Sequence, residues 1–217
     1  MLKLELSLPK NRPPKVLCLG AHSDDIEIGS GGTILRLMRD YNNAVFYWVV
    51  LSGNGERKKE AMSSANALLR KAKEKTILIE NHRDGFFPYI GAEIKEHFEA
   101  LKQAFSPDLI FTHYRNDLHQ DHRFVSNLTW NTFRDHLILE YEIPKYDGDL
   151  GAPNLFIHLE KNICDRKVAH LSRFFKSQLA NQWFSQETFR ALLRLRGNES
   201  NSPSRYAEAF FCRKILL

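Results

Sequence analysis

The sequence predicts an α/β fold: a Rossmann-like, mostly parallel sheet with helices on both faces, in a single domain. Three observations predict it. Short apolar runs recur at residues 16–19, 44–51, 76–79 and 108–112, a length that suits strands buried on both faces of a sheet. Segments of helical periodicity separate them, so the order reads βαβαβαβ, the pattern of parallel strands joined by crossover helices. Two of the runs end abruptly in clusters of His and Asp, as expected where strand carboxyl ends open onto a ligand-binding crevice.

Taken in order, residues 16–19 (VLCL) form the first strand, closed by Gly20, and Ile26, Ile28, Thr33, Ile34 and Leu37 set a helix over 26–39. Residues 44–51 (AVFYWVVL) are rich in strand-favouring side chains. The helix over 57–73 places Ala61, Ala65, Leu68 and Leu69 on one face and a basic surface on the other. A third strand, 76–79, leads into HRDGFFP, where Asp84-Gly85 signals a turn. The helix over 92–105 precedes the fourth strand, 108–112, which runs straight into HYRNDLHQDHRFV and the next helix. Residues 137–143 and 155–159 read as strands, 165–175 and 187–196 as helices, and 207–215 as an edge strand or short helix. Residues 1–135 would then hold the α/β core with its site, and 136–217 the C-terminal strands and basic helices.

The chain of 217 residues is long enough to bury one full core. It shows no internal repeat, no low-complexity block and no dinucleotide fingerprint. No apolar run approaches the roughly 20 residues of a bilayer span. Residues 1–15 lack the apolar region of a secretory signal, so a cytoplasmic protein is expected. Cys18, Cys164 and Cys212 are scattered without metal-binding spacing and read as buried free thiols. The net charge of +5 is uneven: residues 161–217 carry 11 Lys and Arg against 4 Asp and Glu, a net +7, which leaves −2 for the rest. That suits an anionic small-molecule partner or simply a solvated basic helix face. Nucleic acid is not among the expected partners, and a homo-oligomer is compatible with the sequence.

The chemistry lies in the two polar clusters. A catalytic zinc takes three ligands from His and Asp or Glu and keeps a position for water. His22 and Asp25, joined by one histidine of the second cluster, make such a set. His122, at a helix start, is better anchored for that role than a mid-loop histidine. Asp24 is then left beside the metal, placed to act as general base on water. His119 suits an oxyanion stabiliser and general acid, with Asp121 orienting its ring and raising its pKa. The other six histidines, His82, His97, His113, His136, His158 and His170, read as ordinary solvated side chains. One zinc per chain is expected, although a His2Asp set accepts other divalent ions.

At these residues the sequence resembles the PIG-L/LmbE family of zinc-dependent N-acetylglucosaminyl deacetylases. The family's A-H-P-D-D-E appears as AHSDDIE at 21–27, and its H-x-D-H as HQDH at 119–122. Gly31-Gly32, the NGE of 54–56, Arg57 with Glu60, Asp84-Gly85, Ser177-Gln178 and the AEAF of 207–210 match weaker signatures. The resemblance implies His22, Asp25 and His122 as zinc ligands, Asp24 as base and His119 with Asp121 as the acid and electrostatic pair. It implies Arg57 as a residue holding substrate hydroxyls or phosphate. The implied substrate class is N-acylated amino sugars carried on a lipid, a nucleotide, inositol or a thiol precursor. Ser23 stands where the family usually has proline, and the acidic residue after the Asp pair is shifted to Glu27. Two other readings compete. A metal-dependent phosphoesterase would need more bridging carboxylates. A non-catalytic nucleotide-binding α/β module would need a glycine-rich phosphate cradle, where this chain has two carboxylates.

Overall fold

The computed structural model describes Lys3, Leu8, Pro9 and residues 11–216, so residues 1, 2, 4–7 and 10 of the stretch read above for a secretory signal lie outside the described residues. Among the described residues, seven strands and six α-helices follow in the order β1 (Lys15–His22), α1 (Asp25–Asp40), β2 (Val45–Ser52), α2 (Gly55–Leu68), β3 (Glu74–Ile79), α3 (Gly91–Ala104), β4 (Leu109–His113), α4 (Gln120–Thr132), β5 (Leu137–Tyr141), β6 (Leu155–His158), α5 (Lys161–Phe174), α6 (Gln186–Glu199) and β7 (Ala207–Cys212). They make one sheet in the order β3-β2-β1-β4-β5-β7-β6. The first five strands are parallel, and β7 runs antiparallel to both β5 and β6.

Both faces of the sheet are covered, which explains why the central strands are apolar without alternation. Along β1, Val16 and Cys18 enter one apolar cluster, shared with α1, α2, α5 and α6. Leu17 and Leu19 enter the other, shared with α3 and α4. Helices leave β1 toward one face and β4 toward the other, so the strand order reverses between these two neighbours. That reversal opens a crevice beyond their carboxyl ends, where β1 ends in His22 and β4 in His113.

Helix α1 carries the first polar cluster, and glycines let it approach the sheet. A Cβ on Gly29 would lie 2.2 Å from the Tyr141 ring, and one on Gly32 would lie 2.4 Å from Leu159. Glu208 of β7 reaches the same turn and accepts the N–H groups of Gly32 (2.8 Å) and Thr33 (2.6 Å). Lys167 of α5 pairs with Glu208 at 2.5 Å and donates to the Ile28 carbonyl at 2.5 Å. Gly32 N–H and Ile28 C=O would close one turn of a regular helix; here each is also engaged from outside.

Three sequence expectations are corrected. Residues 207–212 form an interior strand, because β6 pairs outside them. Helix α2 ends at Leu68, where the chain turns toward β3. Cys212 is only half-buried, while Cys18 and Cys164 are buried; all three are free. Among the described residues, no helix is long and apolar enough to cross a membrane.

Candidate metal centre

Parallel pairing of β1 with β4 sets their ends side by side, and the two polar clusters meet across that seam. His22 Nδ1 lies 3.1 Å from His122 Nε2 and 3.4 Å from Asp25 Oδ2, and His122 Nε2 lies 3.6 Å from Asp25 Oδ1. Ligands 2.0–2.1 Å from a tetrahedral ion stand about 3.3 Å apart, so these three pairs have the edge lengths of a ligand set. Overlapping groups with donor atoms within 4.8 Å are His22, His119 and His122; Asp25, His113 and His122; and His22, Asp84 and Asp121. His22 and His122 recur in two of these groups each and Asp25 in one, and other pairs are equally short, His113 with Asp25 at 3.2 Å and His22 with Asp84 at 3.0 Å.

The outward nitrogens of both rings face carboxylates. His122 Nδ1 is 2.9 Å from Asp117 Oδ2, and His22 Nε2 is 3.0 Å from Asp84 Oδ1 and 3.4 Å from Asp121 Oδ2. An ionised carboxylate only accepts, so a neutral His122 carries its proton on Nδ1 and a lone pair on Nε2, whereas His22 Nε2 lies near two carboxylates without a hydrogen bond to either. The His122 lone pair faces His22 Nδ1 at 3.1 Å, a gap that a proton or a metal ion can fill, and Asp25 adds a third donor beside it. The residues present therefore fit a divalent ion.

The local field agrees. Burial works against a charged His22, but Asp25, Asp121 and Asp84 outweigh it and raise its pKa well above the ordinary value. Burial likewise pushes Asp25 up, yet the imidazoles of His122, His113 and His22 hold it well below the usual carboxylate range. His122 is lowered to about 4, chiefly by burial and then by His113. The Asp25 carboxylate is fixed by the His22 amide, which donates to Oδ2 at 2.6 Å.

Asp24, one residue earlier, stands in a different environment. Its Oδ1 pairs with Arg57 at 2.7 Å, and its buried Oδ2 has no hydrogen-bond partner. Burial raises its pKa to about 6; Arg57 opposes the shift and Asp25 adds to it. Arg57 is thus brought to the crevice by the start of α2, with Asp24 as its partner.

His119 caps α4, its Nδ1 accepting the Asp121 amide at 3.3 Å, so a neutral ring carries its proton on Nε2. Two expectations change here. The Asp121 carboxylate faces the amides of Gly85 (2.6 Å) and Phe87 (3.1 Å) and the His22 ring, and makes no hydrogen bond to His119. The His119 pKa is lowered, because burial and the charge of His22 outweigh Asp121.

His113, read above as solvated, is fully buried, 3.2 Å from Asp25 Oδ2 and stacked on His122. Its position at a strand's carboxyl end, like that of His22, was the available signal. His82 is also buried. Asp84 was read as a turn residue only, and Asp117 and Lys145 escaped the sequence reading. Only the five-residue step from Asp117 to His122 hinted at a contact.

Residues 17–133 match the family model described as PIG-L: GlcNAc-PI de-N-acetylase. Three solved structures share the fold. The conserved protein TT1542 of Thermus thermophilus has a TM-score of 0.74 at 20% identity, over 93% of this chain and 95% of that chain. The N,N'-diacetylchitobiose deacetylase of Pyrococcus horikoshii has 0.69 at 21%, over 96% and 87%. GalB, the 4-carboxy-2-hydroxymuconate hydratase of Pseudomonas putida, has 0.70 at 15%, over 94% and 98%. At such identities the likeness is one of fold, and a hydratase beside a deacetylase shows that this fold carries more than one reaction. The family match covers more than half of the chain and runs from β1 to the end of α4, through both His/Asp clusters: the chain belongs to the PIG-L family of GlcNAc-PI de-N-acetylases.

Proposed function

We propose that this protein is a metal-dependent hydrolase that removes the acetyl group from an N-acetylated amino sugar, free or carried on a nucleotide or lipid. One observation carries the reading. The donor atoms of His22, Asp25 and His122 converge within 3.1–3.6 Å while the neighbouring Asp24 keeps a buried, unpartnered carboxylate oxygen. His22, Asp25 and His122 would hold one divalent ion, with zinc the first choice for a His2Asp set. Bound there, the ion would supply Lewis-acid polarisation of the amide carbonyl and acidify a water molecule.

The chain's own residues divide the remaining work. Asp24, with a pKa raised to about 6, is ionised at neutral pH yet basic enough to take a proton from the attacking water at Oδ2. His119, neutral and protonated on Nε2, donates to the oxygen that gains negative charge as the carbonyl is attacked. When the C–N bond breaks, the amine nitrogen takes the proton that Asp24 accepted, so acetate and a free amine leave. Arg57 holds Asp24 through one nitrogen and offers the rest of its guanidinium, partly exposed, to substrate hydroxyls or phosphate. Asp121 acts behind His22 and the Asp84-Gly85 loop.

The test is a panel of N-acetylated sugars, sugar nucleotides and glycolipids incubated with zinc-loaded protein, with acetate and primary amine measured together. Equimolar release from one member supports the reading. Release from none sinks it, and phosphate release without acetate would favour the phosphoesterase.

A further inference from the structure

The loop before α4 holds a buried carboxylate that neither the HQDH motif nor the mechanism above uses. Asp117 is buried, and both of its oxygens are engaged. Oδ2 faces His122 Nδ1 at 2.9 Å; Oδ1 accepts the His119 amide at 2.8 Å and pairs with Lys145 Nζ at 3.0 Å. Lys145 is held in turn by Asp149 at 2.5 Å, and Asp149 Oδ2 accepts the Leu118 amide at 2.6 Å. Asp149, Lys145 and Asp117 thus form a row of alternating charge that joins two loops behind the site and ends on the His122 ring. Arg123 closes it from α4 by donating to the Asp117 carbonyl at 3.0 Å.

We propose that Asp117 is a positioning residue that sets the tautomer of His122, holding the ring proton on Nδ1 so that Nε2 presents its lone pair between His22 and Asp25. The inference rests on the metal reading for its purpose, but not for its geometry. A carboxylate accepts and does not donate, so the proton of the shared hydrogen bond belongs to Nδ1. Lys145 pairs with the other carboxylate oxygen of Asp117 at 3.0 Å and holds it aimed at the ring. Nothing else among the described hydrogen bonds engages His122 Nδ1. Without Asp117 the ring is free to place its proton on Nε2, where it opposes a cation. Outer partners of this kind typically contribute about 10- to 100-fold in metal affinity.

The experiment compares wild type, Asp117→Ala and Asp117→Asn. Long-range proton–nitrogen NMR on chelator-treated protein at about pH 8, above the ordinary histidine range, reads the His122 tautomer, with His122→Gln identifying its signals. Competition against a chromophoric chelator reads zinc affinity. Wild type should show Nδ1–H. Asp117→Ala should shift the ring toward Nε2–H and bind zinc about 10- to 100-fold more weakly. Asp117→Asn should keep the Nδ1–H tautomer through its amide oxygen and lose less affinity, an order that a merely structural role would not produce. A His122 ring that stays Nδ1–H in Asp117→Ala, or zinc affinity unchanged from wild type, overturns the proposal. If Asp117→Ala fails to fold, an Asn variant with an Nε2–H ring does so equally. Wild type that takes up no zinc would refute the metal reading, whereas the tautomer comparison still decides the role of Asp117.

Discussion

Replacing Asp24 with Asn separates catalysis from stability in one residue. The carboxyl pKa rises from 3.8 to about 6 on folding, roughly two units, so the ionised form costs roughly 3 kcal/mol when pH exceeds both values. The sign follows from which state holds the proton. Between 3.8 and about 6 the folded protein is protonated and the unfolded chain is not, so stability falls as pH rises through that window. Asn removes this penalty. It introduces an amide NH2 where Oδ2 has no partner, which costs about 1–3 kcal/mol. In chelator-treated protein at neutral pH the variant should therefore gain about 1 kcal/mol, or about 2–4 °C in melting temperature for a chain of this size. The same variant should keep its zinc and lose about 10²- to 10⁴-fold in kcat, with little change in KM. The assays are urea or thermal unfolding, elemental analysis and turnover on the panel substrate. Near-normal turnover would remove Asp24 from the base role, loss of zinc would make it a ligand, and clear destabilisation would refute the burial argument.

The remaining predictions test other parts of the molecule. His122→Ala and Asp25→Ala should each lose bound zinc while the sheet stays folded; full occupancy in both, by elemental analysis, would refute the ligand set. Lys167→Met should destabilise by about 3 kcal/mol, the low end for breaking a buried ion pair, because Glu208 keeps two amide donors. Adding Glu208→Gln should recover part of that loss in urea unfolding, whereas strict additivity would mean the pair is uncoupled. His170 touches Ser64 at 2.7 Å, and Ser64 in turn bonds Glu27. Burial, and then Arg173 and Arg166, lower the His170 pKa from 6.5 to about 4. Its neutral form therefore adds stability that is present above the unfolded value of 6.5 and lost as pH falls toward 4. Partial exposure limits this to on the order of 2 kcal/mol. The stability difference between wild type and His170→Gln should shrink across that range, and a constant difference would contradict the burial.

The fold and the two polar strand ends were legible because their signals are local. An apolar run too short for a helix, followed at once by His22, Asp24 and Asp25, identifies a strand end without reference to the rest of the chain. The adjacency of β1 and β4 was only a condition of that reading, since strand order depends on which face each crossover helix covers. Contacts made across loops were not legible. Asp84 was visible as a turn residue, but its approach to His22 depends on Asp121 holding the amides of Gly85 and Phe87. Lys145 lies 28 positions from Asp117, and nothing in either neighbourhood announces the pair. His113 was misread because an isolated histidine is usually solvated, whereas here the strand register buries it beneath His122. The interior place of β7 depended on β6 joining its far edge, an event the apolar run at 207–215 does not encode.

The carboxylates around the site explain why a dication suits it better than a proton. Asp84 and Asp121 face the outer nitrogen of His22, and Asp117 faces that of His122. Asp117 fixes the His122 tautomer and turns that ring's lone pair inward. A single proton can bridge the 3.1 Å gap between the two rings, but it leaves Asp25 at its ion-pair distances from both rings, with no donor aimed at it from their midpoint. A divalent ion answers all three atoms at once and brings the charge that four nearby carboxylates favour. The same logic distinguishes the adjacent aspartates. Asp25 is surrounded by His22, His113 and His122 and held well below the carboxylate range. Asp24 has chiefly Arg57, with less from His22, against its burial and the charge of Asp25, and is raised to about 6. Two neighbouring carboxyls driven in opposite directions are suited to opposite tasks, one to stay charged beside a cation and the other to exchange a proton near neutral pH.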